Sequence, residues 1–196
     1  MTSAPDTVVV HVSLDDVQPE IWRRFITSVT TSLKGLHDLI QAAMGWQDYH
    51  LWQFDSAQRR YGVPDAEYVT DPPTLRASGV KLATLITRDE VALTYTYDFG
   101  DNWRHTVRIE GMEPAQAPQL YPAFIDGAGR CPPEDVGGTL SFEDFLEAVI
   151  SPGHPEHDAV LDWYGGPFDP QDINRQMIEL RFGQIARRRR AHSLGR

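Results

Sequence analysis

The chain has 196 residues, 41% of them hydrophobic and 23% charged, with a net charge of −10. That supports one packed domain, leaves little room for two, and excludes a disordered chain. No apolar run approaches the roughly 18 residues a spanning helix needs, and the N-terminus lacks a basic region followed by an apolar stretch. Cys131 is the only cysteine, which excludes a disulfide framework and a zinc site of several thiolates. The expectation is a cytoplasmic protein with no membrane partner. Charge is unevenly spread: residues 181–196 hold six arginines and no acid, leaving the first 180 residues at −16.

Val8, Val10, Val12 and Leu14 alternate with Val9, His11 and Ser13 in a β-branched run, the period of a strand with one buried face. Residues 21–29 read as a second strand joined to the first by the turn-forming DDVQPE. Alternation there puts Arg23 opposite Trp22 and suggests a core tryptophan with a solvated arginine. Leu33, Leu36, Ile40 and Ala43 then fall at helical spacing, with Thr31 or Ser32 as N-cap and Gly45 as terminator. A third strand is expected over residues 50–55, then loop to about residue 79, with a short helix over 81–86. Residues 90–97 and 102–110 form strand patterns around Asp98, Phe99, Gly100 and Asp101, which have hairpin-turn chemistry. A Pro- and Gly-rich connection covers about 111–138, and the helical patterns over 141–150, 155–163 and 170–190 make the C-terminal third helical.

These elements predict a single α+β domain: an antiparallel sheet of about five strands, covered by helices, over residues 1–186, followed by a basic tail over 187–196. The tail is expected to be dispensable for folding. Arg187, Arg188, Arg189 and Arg190 are candidate nucleic-acid contacts, and the competing reading is that they complement the dipole of their own helix.

Four ordered motifs resemble the plasmid pRiA4b Orf-three-like family, sometimes named as insertion-element passenger proteins, TnpR. They are PEIWRRF with LHDLIQAAMGW and HLWQF (19–54), YTYDFGDNWRHTV (95–107), CPPEDVGG (131–138) and HPEHDAVLDWYGGPFDP (154–170). The resemblance implies an α+β fold with an antiparallel sheet and an association with mobile elements. It brings no catalytic residue with it. Neither the Ser-Arg region of serine recombinases nor the Arg-His-Arg-Tyr set of tyrosine recombinases is present, so the resolvase implied by the name has no site here.

Asp98-Phe99-Gly100 spells the magnesium-binding tripeptide of protein kinases, but no Gly-rich phosphate loop or catalytic-loop His-Arg-Asp accompanies it. Asp98, Asp101 and His105 could either shape the hairpin turn or converge as ligands of a divalent metal or as acid–base partners. His154 and His157 suit helix capping and packing, or zinc. Cys131, with Glu134 and Asp135 beside it, suits a rigid loop with a buried thiol better than a nucleophile, because adjacent acids raise the thiol pKa. A shared site, if the chain has one, is expected where the Asp98–His105 turn meets the Cys131–Asp135 loop and the helix start at His154. The bland alternative is a pinned loop. No nucleophile, base and orienting group stand at defined spacing, so a non-enzymatic interaction or accessory protein is the leading reading and an enzyme using these polar groups the alternative.

Overall fold

The computed structural model describes residues 6–65 and 70–194. Strand β1 (Thr7–Leu14) is central to the sheet, pairing antiparallel with β2 (Trp22–Ser28) on one side and with β7 (Trp103–Glu113) on the other. Its inward residues Val8, Val10, Val12 and Leu14 are buried, as the alternation demands. Helix α1 (Leu33–Met44) follows β2. Ser32 caps it by accepting a hydrogen bond from the Gly35 amide at 3.1 Å, and Gly45 ends it at φ 92°, a left-handed conformation that glycine adopts freely. Leu33, Leu36, Leu39 and Ile40 are wholly buried, each worth about 1.5–3 kcal/mol of burial.

Strands β3 (Trp52–Asp55) and β6 (Ala92–Tyr97) pair antiparallel, and β6 forms a hairpin with β7. Two three-residue strands, β4 (Arg60–Gly62) and β5 (Thr74–Arg76), extend one edge, and β8 (Ala123–Ala128) extends the other on β2. The order is β5-β4-β3-β6-β7-β1-β2-β8. Helices α2 (Leu82–Thr87), α3 (Gly138–Ile150), α4 (His157–Tyr164) and α5 (Arg175–Leu194) complete the chain. Among the described residues no helix is long and apolar enough to cross a membrane.

The expected antiparallel sheet of about five strands is therefore wrong: the sheet has eight strands and is mixed, because β4 and β5 run parallel. The α+β class and the helical C-terminal third stand. Three-residue strands are too short to display a period of two, and the long connection between Gly62 and Thr74 permits a parallel return. In β8 the sequence AFIDGA leaves no residue fully buried, so its edge position left no apolar alternation to read. Strand β7 continues past Gly111 because a bulge opposite Val9 and Val10 absorbs the extra residue.

Helix α5 carries a buried stripe of Ile178, Phe182 and Ala186. Arg189 follows on the same face, donating to Thr27 Oγ1 (3.3 Å), Thr31 Oγ1 (3.0 Å) and the Gly35 carbonyl (3.4 Å). Arg187, Arg188 and Arg190 are exposed; residues 195 and 196 of the tail lie outside the described residues. The placement of Arg189 changes the expectation for truncation. Arg189→Ala should cost about 1–2 kcal/mol in urea unfolding, whereas Arg187→Ala should leave the midpoint unchanged; equal midpoints for the two would show that the docking contributes nothing.

Candidate functional site

The site grows from the turn between β6 and β7. Asp98 takes φ 55° and its Oδ1 accepts from the Gly100 amide at 2.9 Å, the Asx geometry that leaves its other oxygen free of the turn. The pairing of β3 with β6 sets Trp52 opposite Tyr97, and the Asp98 amide donates to the Leu51 carbonyl at 2.9 Å. His50 is thereby brought to the hairpin tip. Its Nε2 lies 3.6 Å from Asp98 Oδ2, 3.1 Å from Asp135 Oδ1 and 3.9 Å from Glu134 Oε2. That nitrogen is buried and makes no hydrogen bond of acceptable geometry.

Loop 131–137 supplies the two further carboxylates and is fastened at several points. Trp46 Nε1 donates to the Pro132 carbonyl (2.9 Å), the Gln47 amide to Glu134 Oε1 (2.8 Å), and the Gly137 amide to Asp101 Oδ2 (3.0 Å). Tyr97 OH also donates to Glu134, at 3.1 Å. Burial pushes the Glu134 carboxyl above its ordinary range, against the pull of the Gln47 amide and Tyr97, while burial and then Glu134 push the Tyr97 phenol up. Asp98 and Glu134 are largely covered, whereas the Asp135 side chain is 69% exposed and forms the solvent side of the cluster. One ligand atom from each of His50, Asp98 and Asp135 lies within 4.8 Å of the others, and an imidazole with two carboxylates is a donor set suited to a divalent cation of the zinc or manganese kind.

The other sequence candidates sit elsewhere. His105 is fully buried, with Nδ1 shared between the carbonyls of Tyr95 (3.2 Å) and Trp103 (3.1 Å), and burial lowers its pKa to about 4. Cys131 lies beneath the loop, its Sγ 3.2 Å from Arg23 Nη2 and 3.1 Å from Met44 Sδ; burial raises the thiol pKa, with Arg23 and Arg130 opposing. His154 Nδ1 accepts from the Glu156 amide, and His157 Nδ1 bonds the Ala148 carbonyl at 2.8 Å, tying α4 to α3. Thus the structure brings Asp98 and Asp135 together at His50, with Glu134 3.9 Å from the ring nitrogen, while Asp101 accepts from the Gly137 amide. Among the described residues, His105, Cys131, His154 and His157 belong to no three-residue ligand cluster.

His50 is the residue that reading the sequence missed. Its signal was available, since pairing the third expected strand with the fourth in antiparallel register places residue 50 beside the 98–101 turn. A second cluster, His37, Asp38 and Asp48, already contains its cation: Lys34 Nζ reaches Asp38 at 2.7 Å and Asp48 at 3.3 Å.

Fold and site together describe an α+β protein with an eight-stranded mixed sheet and a polar cluster where a hairpin tip meets a fastened loop. The chain belongs to the plasmid pRiA4b ORF-3-like protein family, which it matches over residues 6–177. It is 38% identical over 158 residues, covering 81% of this chain and 80% of the relative, to "Uncharacterized protein y4hQ" of Sinorhizobium fredii (strain NBRC 101917 / NGR234). Its fold is similar to the crystal structure of protein of unknown function MM3350 from Methanosarcina mazei Go1. That likeness has a TM-score of 0.77 and 32% identity, over 87% of this chain and 97% of that one.

Proposed function

We propose that this family member is a non-enzymatic accessory protein whose ligand site is a divalent-cation centre formed by His50, Asp98 and Asp135, with Glu134 behind them. The carrying observation is the buried His50 Nε2, which lacks a hydrogen bond and stands within 4 Å of three carboxylates. A buried ring nitrogen without a partner is costly, and in the tautomer that leaves Nε2 unprotonated a cation would satisfy it while offsetting the mutual repulsion of the acids. Binding at this point would add to the bonds that already fasten the loop to the hairpin, so occupancy would be read out as added stability. The enzymatic alternative has weaker support, because the sole thiol is buried with a raised pKa and a nucleophile needs the thiolate. An accessory role connected with mobile elements belongs to the same proposal and rests on the plasmid named in the family description.

Metal-free protein should bind Zn²⁺ or Mn²⁺ in calorimetry. Its stability should rise by about 2.7 kcal/mol at a hundredfold excess over the dissociation constant. His50→Ala should abolish that rise while leaving metal-free stability within about 1 kcal/mol of wild type. A wild type that gains nothing from either metal, or an Ala variant that gains as much, would reduce the cluster to a pin for the loop.

A further inference from the structure

A separate cavity of about 410 Å³ opens between the C-terminal end of α1, the loop after β8, α4 and α5. Its volume falls in the range of roughly 300–1,000 Å³ typical of small-ligand sites. Trp46, Trp163, Tyr164 and Met177 give it an aromatic and apolar lining, to which Arg130 and Arg181 add two guanidiniums. The chain as a whole is strongly acidic, so two cations facing one cavity run against its average charge. Glu134 is the single carboxylate among the lining residues, and Gln47 and Tyr97 already engage it.

Both arginines are held in place with donors to spare. Arg181 donates through Nη1 to the Trp46 carbonyl at 3.1 Å, its only hydrogen bond among the described residues. Arg130 donates through Nη2 to Tyr164 OH at 3.0 Å, lies over the Phe168 ring at 5.0 Å, and approaches Asp172 no closer than 3.8 Å. Each guanidinium has five N–H donors in a fork that matches a carboxylate or phosphate. The Trp46 carbonyl takes one donor of Arg181, and Tyr164 OH one of Arg130, whose Nη1 also faces Asp172 at 3.8 Å; among the described residues the remaining donors make no hydrogen bond. Trp163, edge-on to Phe145, is still 53% exposed and Met177 44% exposed, and α4 buries no residue fully, so much of the apolar rim faces solvent.

We propose that this cavity binds a small organic anion, its carboxylate or phosphate head bridging Arg130 and Arg181 and its flat apolar body lying against Trp163, Tyr164 and Met177. Glu134 is the one residue this cavity shares with the cation centre, and its two guanidiniums need no metal to hold an anion. Calorimetry in the presence of EDTA therefore tests it without reference to that reading. The probes are 2-naphthoate and its uncharged counterpart 2-naphthalenemethanol, with inorganic phosphate to separate head from body. Wild type should bind naphthoate at least about ten-fold more tightly than the alcohol, and more tightly than phosphate. Arg181→Gln and Arg130→Gln should each remove about ten-fold of that preference, while Trp163→Ala should weaken naphthoate and leave phosphate unchanged. Equal affinity for acid and alcohol, unaltered by the arginine substitutions, would overturn the anion assignment; absence of heat from both at about millimolar concentration would overturn the site. Phosphate as tight as naphthoate would overturn the apolar half of the proposal. Should Arg130→Gln fail to fold by circular dichroism, Arg181→Gln and Trp163→Ala still decide the matter, since neither side chain is fully buried.

Discussion

Between pH 6.5 and about 4 the protein is expected to lose about 3 kcal/mol of stability for each of two buried histidines, His37 and His105. Both are wholly buried, and both have pKa values lowered from 6.5 to about 4. Desolvation is the chief cause for His37. Lys34 adds to it, while Asp48 and Asp38 oppose it. For His105 desolvation is opposed only by the carbonyls of Tyr95 and Trp103. The native state keeps both rings neutral where the unfolded chain takes up protons. Stability from these groups is thus complete above pH 6.5, falls as the pH drops through that window, and stops falling near pH 4, where the native rings protonate as well. Glu90, whose carboxyl is held below its ordinary value, adds an acid loss at lower pH, whereas the raised Glu134 works in the opposite sense. Urea unfolding at pH 7.5, 6, 5 and 4.5 measures the slope. His105→Leu removes a ring whose Nε2 has no partner and should take about half of the slope with it. A variant that keeps the whole slope would show that the pH dependence lies in other groups.

His37 also shows why a buried polar network escapes a sequence pattern. It sits on the apolar face of α1 between Leu33 and Ile40, which helical spacing reads as core, and it is core. Its partners come from elsewhere: Tyr95 OH at 2.8 Å from Nδ1 and Asp48 at 2.8 Å from Nε2, with Gln41 Nε2 donating on to Tyr95 OH. Local periodicity determines which face is buried but not which distant side chain meets it. The same division runs through the fold. Strands β1, β6 and β7 and helix α1 were legible because each repeats its apolar period several times; β2 was legible as a strand but not in its phase, while β4, β5 and β8 are short or lie at edges and depend on tertiary pairing. In the candidate site, Asp98, Glu134 and Asp135 were legible as polar loop candidates, Asp98 with a turn-shaping role that it also fills. His50 was hidden inside a strand motif, and only the register of β3 on β6 reveals it.

Arg23 is the sharpest departure from the sequence reading, and its replacement should have the largest effect of any single substitution outside the hydrophobic core. The expected solvated arginine is 1% exposed, while Trp22 lies on the other face of β2, stacked on His11 with ring centres 5.3 Å apart. Phe25, two residues on and wholly buried, fixes the phase that puts Arg23 inside. Among the described residues no carboxylate pairs with it. Its donors go to the carbonyls of Ala43 (2.9 Å), Trp22 (2.8 Å), Ala128 (2.8 Å) and Gly129 (2.9 Å), and to Cys131 Sγ (3.2 Å). The guanidinium thus joins the last turn of α1 to the end of β8 and the start of loop 131–137. The fit is close enough that a Cβ on Gly127 would stand 2.8 Å from Arg23 Cδ. Arg23→Met keeps the stem but leaves several carbonyls buried without donors, at about 1–3 kcal/mol each. A total of about 4 kcal/mol and a melting point lower by roughly 8–16 °C are expected. Arg23→Lys, with three donors on a point charge, should recover only part of the loss. Because the freed segment leads directly to Glu134 and Asp135, Arg23→Lys should also weaken the cation response more than Arg189→Ala does, although neither residue touches the cluster. A melting point for Arg23→Met within a degree or two of wild type would mean that the loop is held by Trp46 and Gln47 alone.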